Sequence, residues 1–139
     1  MVVHGLEGVD EISVTGKTLV SHLKDGKVDT REYLPREFGL RDAPLIPSTS
    51  PADAEEGAML ALSVLSGDSK DRECGTLMVL VNSAACLVLA QKAATFAEGF
   101  EMAATSIKSG RAMGKLEQMV KFSGGSLEGA RERYEKRKK

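Results

Sequence analysis

All four prolines of this 139-residue chain fall between Pro35 and Pro51. Proline fixes φ and lacks a backbone N–H, so Pro35, Pro44, Pro47 and Pro51 together require a connecting loop there. Before that loop, Ile12-Ser13-Val14-Thr15 and Thr18-Leu19-Val20-Ser21-His22-Leu23 alternate or carry β-branched residues. They predict strands with Gly16-Lys17 as a tight turn between them. Lys24-Asp25-Gly26-Lys27 marks a second turn, Val28 to Leu34 a third extended piece, and Val2-Val3 the end of a buried strand. The expectation is a small antiparallel meander.

Beyond the prolines the pattern is helical. Ser50-Pro51-Ala52-Asp53 supplies an N-cap, a proline at the first helical position and an acid in the first turn, and Gly67 stops that helix after about Ser66. The nearly all-apolar stretch from Cys74 to Ala94 predicts a helix buried on every side. Thr95-Phe96-Ala97-Glu98 is a capping box opening a third helix that Gly110 ends. Met113, Leu116 and Val120 give a fourth its inner stripe. By element order the chain is α+β. Gly124-Gly125-Ser126 reads as a hinge, which divides the chain into residues 1–123 and a basic tail, 124–139. The tail reads as a solvated or frayed helix, with a phosphate or nucleic-acid contact as the alternative.

Composition bounds the function. A hydrophobic content of 42% with 28% charged residues suits one domain with a modest core. The net charge of −1 argues against a general nucleic-acid surface, and 4% aromatics without Trp leave no stacking platform for bases. Cys74 and Cys86 lie on one predicted helix roughly 18 Å apart, beyond disulfide reach, and read as two buried thiols in a reducing compartment. The N-terminus has no basic-then-apolar signal pattern, and Asn82 and Ser83 interrupt the longest uncharged run, so no membrane span is expected. A soluble cytoplasmic protein is the consistent reading.

The most informative chemistry is the adjacent pair Asp10 and Glu11. Neighbouring side chains on a strand point to opposite faces, so two adjacent carboxylates serve one site only from a turn or a strand end. Gly5 and Gly8 supply the freedom for that turn. Paired oxygens on a loop suit a hard cation such as Mg²⁺, which takes one or two carboxylates plus substrate phosphates and water. A bare Asp-Glu pair is more often a solvated acidic turn. Glu7, close by, could assist such a metal site but reads as solvated.

Other motifs fail or stay structural. Thr15-Gly16-Lys17-Thr18 resembles the end of a P-loop, but the glycine required five residues before Gly16 is Glu11. No G-x-G-x-x-G occurs, and neither His4 nor His22 has a zinc-ligand spacing with the cysteines. His4 reads as a structural hydrogen-bonding residue, and Cys86 as core packing rather than a nucleophile. Asn82, inside an apolar helix, must find partners or cost about 1–3 kcal/mol. It reads as a tie from that helix to a neighbouring loop, with a ligand contact as the alternative.

The string Val2-Val-His-Gly-Leu-Glu-Gly-Val-Asp-Glu-Ile-Ser13 closely resembles the signature of the anthranilate phosphoribosyltransferases. The resemblance continues through Leu34-Pro-Arg-Glu-Phe-Gly-Leu40, Val81-Asn-Ser-Ala-Ala-Cys86 and Ile107-Lys-Ser-Gly-Arg-Ala112, up to about Ser123. It implies an α/β phosphoribosyltransferase or nucleoside-phosphorylase-like domain, of which this chain is expected to be the C-terminal part. The implied function is that of a pentosyltransferase in tryptophan biosynthesis, moving phosphoribosyl from phosphoribosyl pyrophosphate to anthranilate. The family's adjacent acids hold Mg²⁺, and here they are Asp10 and Glu11. The family's Gly-Thr-Gly-Gly-Asp phosphate loop is absent from the sequence, so the isolated chain is expected to be inactive without a missing N-terminal part. Two other readings are kept: a non-catalytic, oligomerising or partner-binding module on the same fold, and a relative acting on nucleosides.

Overall fold

The computed structural model describes residues 1–40, 51–67 and 74–137. A three-stranded antiparallel sheet, ordered β1-β2-β3, is built from β1 (Val2–Gly5), β2 (Thr18–Lys24) and β3 (Lys27–Tyr33). A single 3₁₀ turn at Pro35–Phe38 follows. Five helices follow among the described residues: α1 (Ala54–Ser66), α2 (Cys74–Leu89), α3 (Phe96–Lys108), α4 (Arg111–Phe122) and α5 (Glu128–Arg137). These residues form two compact units, Met1–Ser48 with Asp71–Ala104 and Thr49–Lys70 with Thr105–Lys139.

The meander forms, with a different first strand from the one expected. β1 pairs with β2 so that Val3 faces Val20, and Gly5 faces Thr18. The Ile12–Thr15 segment lies in the connection and is not a strand, and Gly16-Lys17 is not a hairpin turn. Ile12, Ser13 and Val14 are all fully buried, at 0%, 1% and 2% exposure. Three consecutive buried residues do not alternate across a sheet, so their β-branched character reflects packing rather than ladder pairing. Val2, expected to be buried, is 73% exposed, because it shares the sheet face opposite the core with Leu23 and Val28. The β2–β3 turn is as expected: Asp25 and Gly26 both have positive φ, the requirement of a tight type I′ hairpin.

In the first unit the sheet packs through Val20 onto Ile12, Val14, Phe38, Leu77, Val81 and Ala85. Tyr33, Phe38 and Phe96 form an aromatic triad with centroids 5.0–6.0 Å apart, joining the end of β3, the 3₁₀ turn and the start of α3. Half of the capping box expected at α3 forms: Thr95 Oγ1 accepts from the Glu98 N–H, while the Glu98 carboxylate reaches past Thr95 and accepts from the Ala94 N–H.

Helix α2 is shorter and less enclosed than its composition suggests. It ends at Leu89, where Gln91 takes a left-handed conformation and Lys92 N–H bonds back to Leu87 O. Val79, Cys86 and Leu89 are exposed and Cys74 is only half-buried, so neither thiol is in the core. The buried stripe is Thr76, Leu77, Leu80, Val81, Ala84 and Ala85.

In the second unit the cap of α1 is Asp53, whose carboxylate accepts from the Glu56 N–H; the expected cap, Ser50, lies outside the described residues. Gly67 ends the helix in the left-handed conformation, as expected. Met113, Leu116 and Val120 on α4 are half-buried. The basic tail forms a fifth helix, α5, with no buried residue, in line with the solvated-helix reading. Arg131 pairs with Glu117, and Arg133 and Arg137 lie 3.8 and 3.9 Å from Glu55. These pairs are about half exposed, so they orient α5 more than they stabilise it.

Gly99 on α3 meets Ala84 on α2 so closely that an added Cβ would lie 2.9 Å from the Ala84 Cα and O. Gly99→Ala is expected to destabilise the protein by about 1–3 kcal/mol in chemical denaturation through overpacking. Gly114 on α4 has open space around it, so Gly114→Ala should stabilise by about 0.5–1 kcal/mol.

Candidate metal-binding site

The β1–β2 connection is a closed loop. Leu6 N–H bonds to Lys17 O at its base, 2.8 Å away. Inside it, Gly8 N–H bonds to Gly5 O and Gly5 N–H to Val9 O, both at 2.9 Å. Gly8 takes φ +100°, the positive value that ends a three-residue hairpin loop. Gly5 is required by proximity: a Cβ there would lie 2.3 Å from Val9 Cγ2 and 3.4 Å from Glu11 O. The chain therefore folds back over Gly5 and delivers Asp10 and Glu11 at a bend, both exposed.

The segment just beyond the acids is pinned from the core side. Ile12 N–H donates to Asn82 Oδ1 at 3.1 Å, and Asn82 Nδ2 donates to Met78 O at 2.8 Å. The helix-to-loop tie read from the sequence is present, and the loop it reaches is the one carrying Asp10 and Glu11. Thr18 Oγ1, buried, accepts from Ser13 N–H at 2.9 Å.

Glu7 is exposed as expected, yet one of its carboxylate oxygens is doubly engaged. Its Oε1 accepts from the hydroxyls of Ser13 and Thr15, the latter at 3.0 Å. Ser13 Oγ in turn accepts from the N–H groups of Thr15 and Gly16 at 3.1 and 2.8 Å. Desolvation pushes the Glu7 carboxyl up, but the hydrogen bonds from Ser13, its own backbone, Thr15 and Gly16 outweigh it and hold it below its ordinary value. This cluster was not singled out in the sequence; its only signal is the two hydroxyls and the glycine of Ser13-Val-Thr-Gly16, which also resemble a P-loop end. Lys17, the would-be phosphate lysine, pairs instead with Glu32 at 2.7 Å.

His4 is exposed on β1 and makes no side-chain hydrogen bond among the described residues, so the structural role expected for it has no partner there. Among the described residues no three His, Cys, Asp or Glu side chains group as a metal cage. Two exposed carboxylates on a bend suit Mg²⁺, which completes its shell with substrate phosphates and water; they do not suit a structural zinc. No described helix is long and apolar enough to cross a membrane.

Residues 1–113 match the family model described as glycosyl transferase family, a/b domain. The chain is 42% identical over 130 residues to the anthranilate phosphoribosyltransferase of Thiobacillus denitrificans, and 43% over 123 residues to that of Symbiobacterium thermophilum. Each alignment covers 88% of this chain and 35% of the relative, so the chain spans about a third of the length of these relatives. The structure of the Saccharomyces cerevisiae anthranilate phosphoribosyltransferase in complex with PRPP and Mg is similar, with a TM-score of 0.69 and 34% identity. That likeness covers 83% of this chain and 32% of the yeast one.

The lowered Glu7 carboxyl makes the loop pH-sensitive. Its folded value lies below the unfolded one, so the stabilisation is complete above the ordinary value of 4.5 and is lost as pH falls through the folded value. Ser13→Ala removes the largest favourable contribution and is expected to return the Glu7 midpoint toward 4.5 in a carboxyl NMR titration. An unchanged midpoint would remove the tie.

Proposed function

The chain belongs to the glycosyl transferase family, as its a/b domain, and we propose that it is the C-terminal segment of an anthranilate phosphoribosyltransferase. In that role it contributes Asp10 and Glu11 as Mg²⁺ ligands to the transfer of phosphoribosyl from phosphoribosyl pyrophosphate to anthranilate, in tryptophan biosynthesis in the cytoplasm. The observation that carries this reading is the bend holding the two acids side by side, closed over Gly5 and pinned by Asn82.

Phosphoribosyl transfer expels pyrophosphate while positive character builds at the anomeric carbon. When bound, Mg²⁺ neutralises the leaving group and orients it. Asp10 and Glu11 need no proton-transfer role; their charge holds the cation beside the bond that breaks. The loop ties keep these acids in place without using either carboxylate, which leaves both free for the metal. The partner is then the remaining two thirds of such an enzyme, which supplies the phosphate-binding loop and the anthranilate pocket. That protein would also cover the apolar sheet face of Val2, Leu23 and Val28; a second copy of this chain is the other occupant.

The test is reconstitution. Mixing the chain with the separately produced N-terminal two thirds of a relative should restore phosphoribosylanthranilate formation. In that assembly Asp10→Ala with Glu11→Ala is expected to lower turnover about 100-fold or more, the equivalent of roughly 3 kcal/mol of charge stabilisation. Full turnover by the double variant would overturn the proposal, as would an inactive mixture of two well-folded parts.

A further inference from the structure

We propose that Glu7 is a positioning residue for the Asp10–Glu11 bend, acting through its hydrogen bonds to Ser13 and Thr15, and is not a third metal ligand. The inference rests on the proposed Mg²⁺ role of Asp10 and Glu11.

Three observations carry it. Glu7 lies before the acids and its hydroxyl partners lie after them, so its carboxylate bridges the two arms of the loop that the acids cap. The site is shaped for that carboxylate: a Cβ at Gly16 would lie 2.6 Å from Glu7 Oε2. Gly16 has no positive φ, so its glycine answers to space rather than to backbone conformation. Third, Ser13 completes a relay. Its N–H is held by Thr18, its hydroxyl donates to Glu7, and the same oxygen accepts from Thr15 and Gly16. With Asn82 holding Ile12 from the other side, the bend is fixed at both flanks while Asp10 and Glu11 make no hydrogen bond among the described residues.

Both hydroxyls donate to the same oxygen, Oε1. A glutamine at this position keeps both hydroxyl bonds through its own Oε1 and loses the charge together with the second acceptor oxygen, which separates positioning by the hydroxyls from ligation.

The experiment uses the full chain, ¹⁵N-labelled, with Mn²⁺ as the probe. Binding is read from paramagnetic broadening at the Asp10 and Glu11 amides, and loop order from hydrogen exchange of the Ile12 amide. Glu7→Ala is expected to weaken Mn²⁺ binding by about tenfold, as loss of support behind a metal ligand does, and to speed Ile12 exchange. Gly16→Ala, which drives the carboxylate out of its seat without removing it, should do the same. Glu7→Gln should restore binding to within about threefold of the parent.

If Glu7→Gln is as weak as Glu7→Ala while Gly16→Ala binds normally, Glu7 ligates the metal and the inference is wrong. If Glu7→Ala matches the parent in both readouts, the inference is also wrong, and the metal role of Asp10 and Glu11 stands. If the parent itself shows no broadening at those amides, or keeps it after Asp10→Ala with Glu11→Ala, the metal reading fails and this inference fails with it.

Discussion

A single amide on a helix orders the candidate site. Asn82 stands on the half-buried side of α2 and spends its oxygen on the Ile12 N–H and its nitrogen on Met78 O. The geometry is mutual. Without the loop, Asn82 would bring an unsatisfied acceptor to an apolar helix; without Asn82, the Ile12 amide would be the unsatisfied group, beside a side chain with no exposure. Either loss costs about 1–3 kcal/mol, so loop and helix hold one another in register. Ile12, Val14, Val81 and Ala85 then fill the same core cluster. The exposed acids thus sit on backbone whose position is set by buried packing.

The parts of the fold written in short-range chemistry were legible in the sequence. Asp25-Gly26 required positive φ and formed the hairpin turn; Thr95 capped α3 through the Glu98 N–H; Gly67 and Gly110 ended helices. The parts set by tertiary packing were not. Ile12–Val14 looked like a strand because its side chains are buried, yet its amides answer to Asn82 and Thr18 side chains instead of a neighbouring strand. The end of α2 carries Gln91 where a glycine would have signalled the stop. Helix α5 has almost no apolar stripe, since its partners are the carboxylates of Glu55 and Glu117, and a run of charge reads as tail until those partners are known. At the site, Asn82 was readable because an amide in an apolar helix has few alternatives; Glu7 was not, because exposure alone does not reveal a carboxylate's partners.

The loop also explains why a sequence close to a phosphate-binding motif does not form a P-loop here. A P-loop needs free backbone N–H groups and a free lysine. In this chain Ser13 Oγ takes the N–H groups of Thr15 and Gly16, Glu7 takes the hydroxyls, and Lys17 is held by Glu32. The anion such a loop would attract is already supplied from within. That arrangement leaves Asp10 and Glu11 as the carboxylates in the loop without an internal partner among the described residues, and so concentrates its uncompensated charge at the bend.

That concentration fixes what kind of cation the bend suits. A cation held for stability is caged by several protein ligands, and no such cage exists among the described residues. A cation that must arrive with a charged substrate needs the opposite: a few protein oxygens, rigidly placed and otherwise idle, with coordination positions left for phosphate. Two adjacent carboxylates on an exposed bend meet that requirement only if the bend does not move, because each ångström of play weakens the electrostatic work the ion can do. In the proposed role, buried packing behind Ile12 and hydrogen bonds through Glu7 would supply the rigidity, and the exposure of Asp10 and Glu11 the access. The proposal thus separates two duties within one short loop, rigidity behind the bend and charge in front of it.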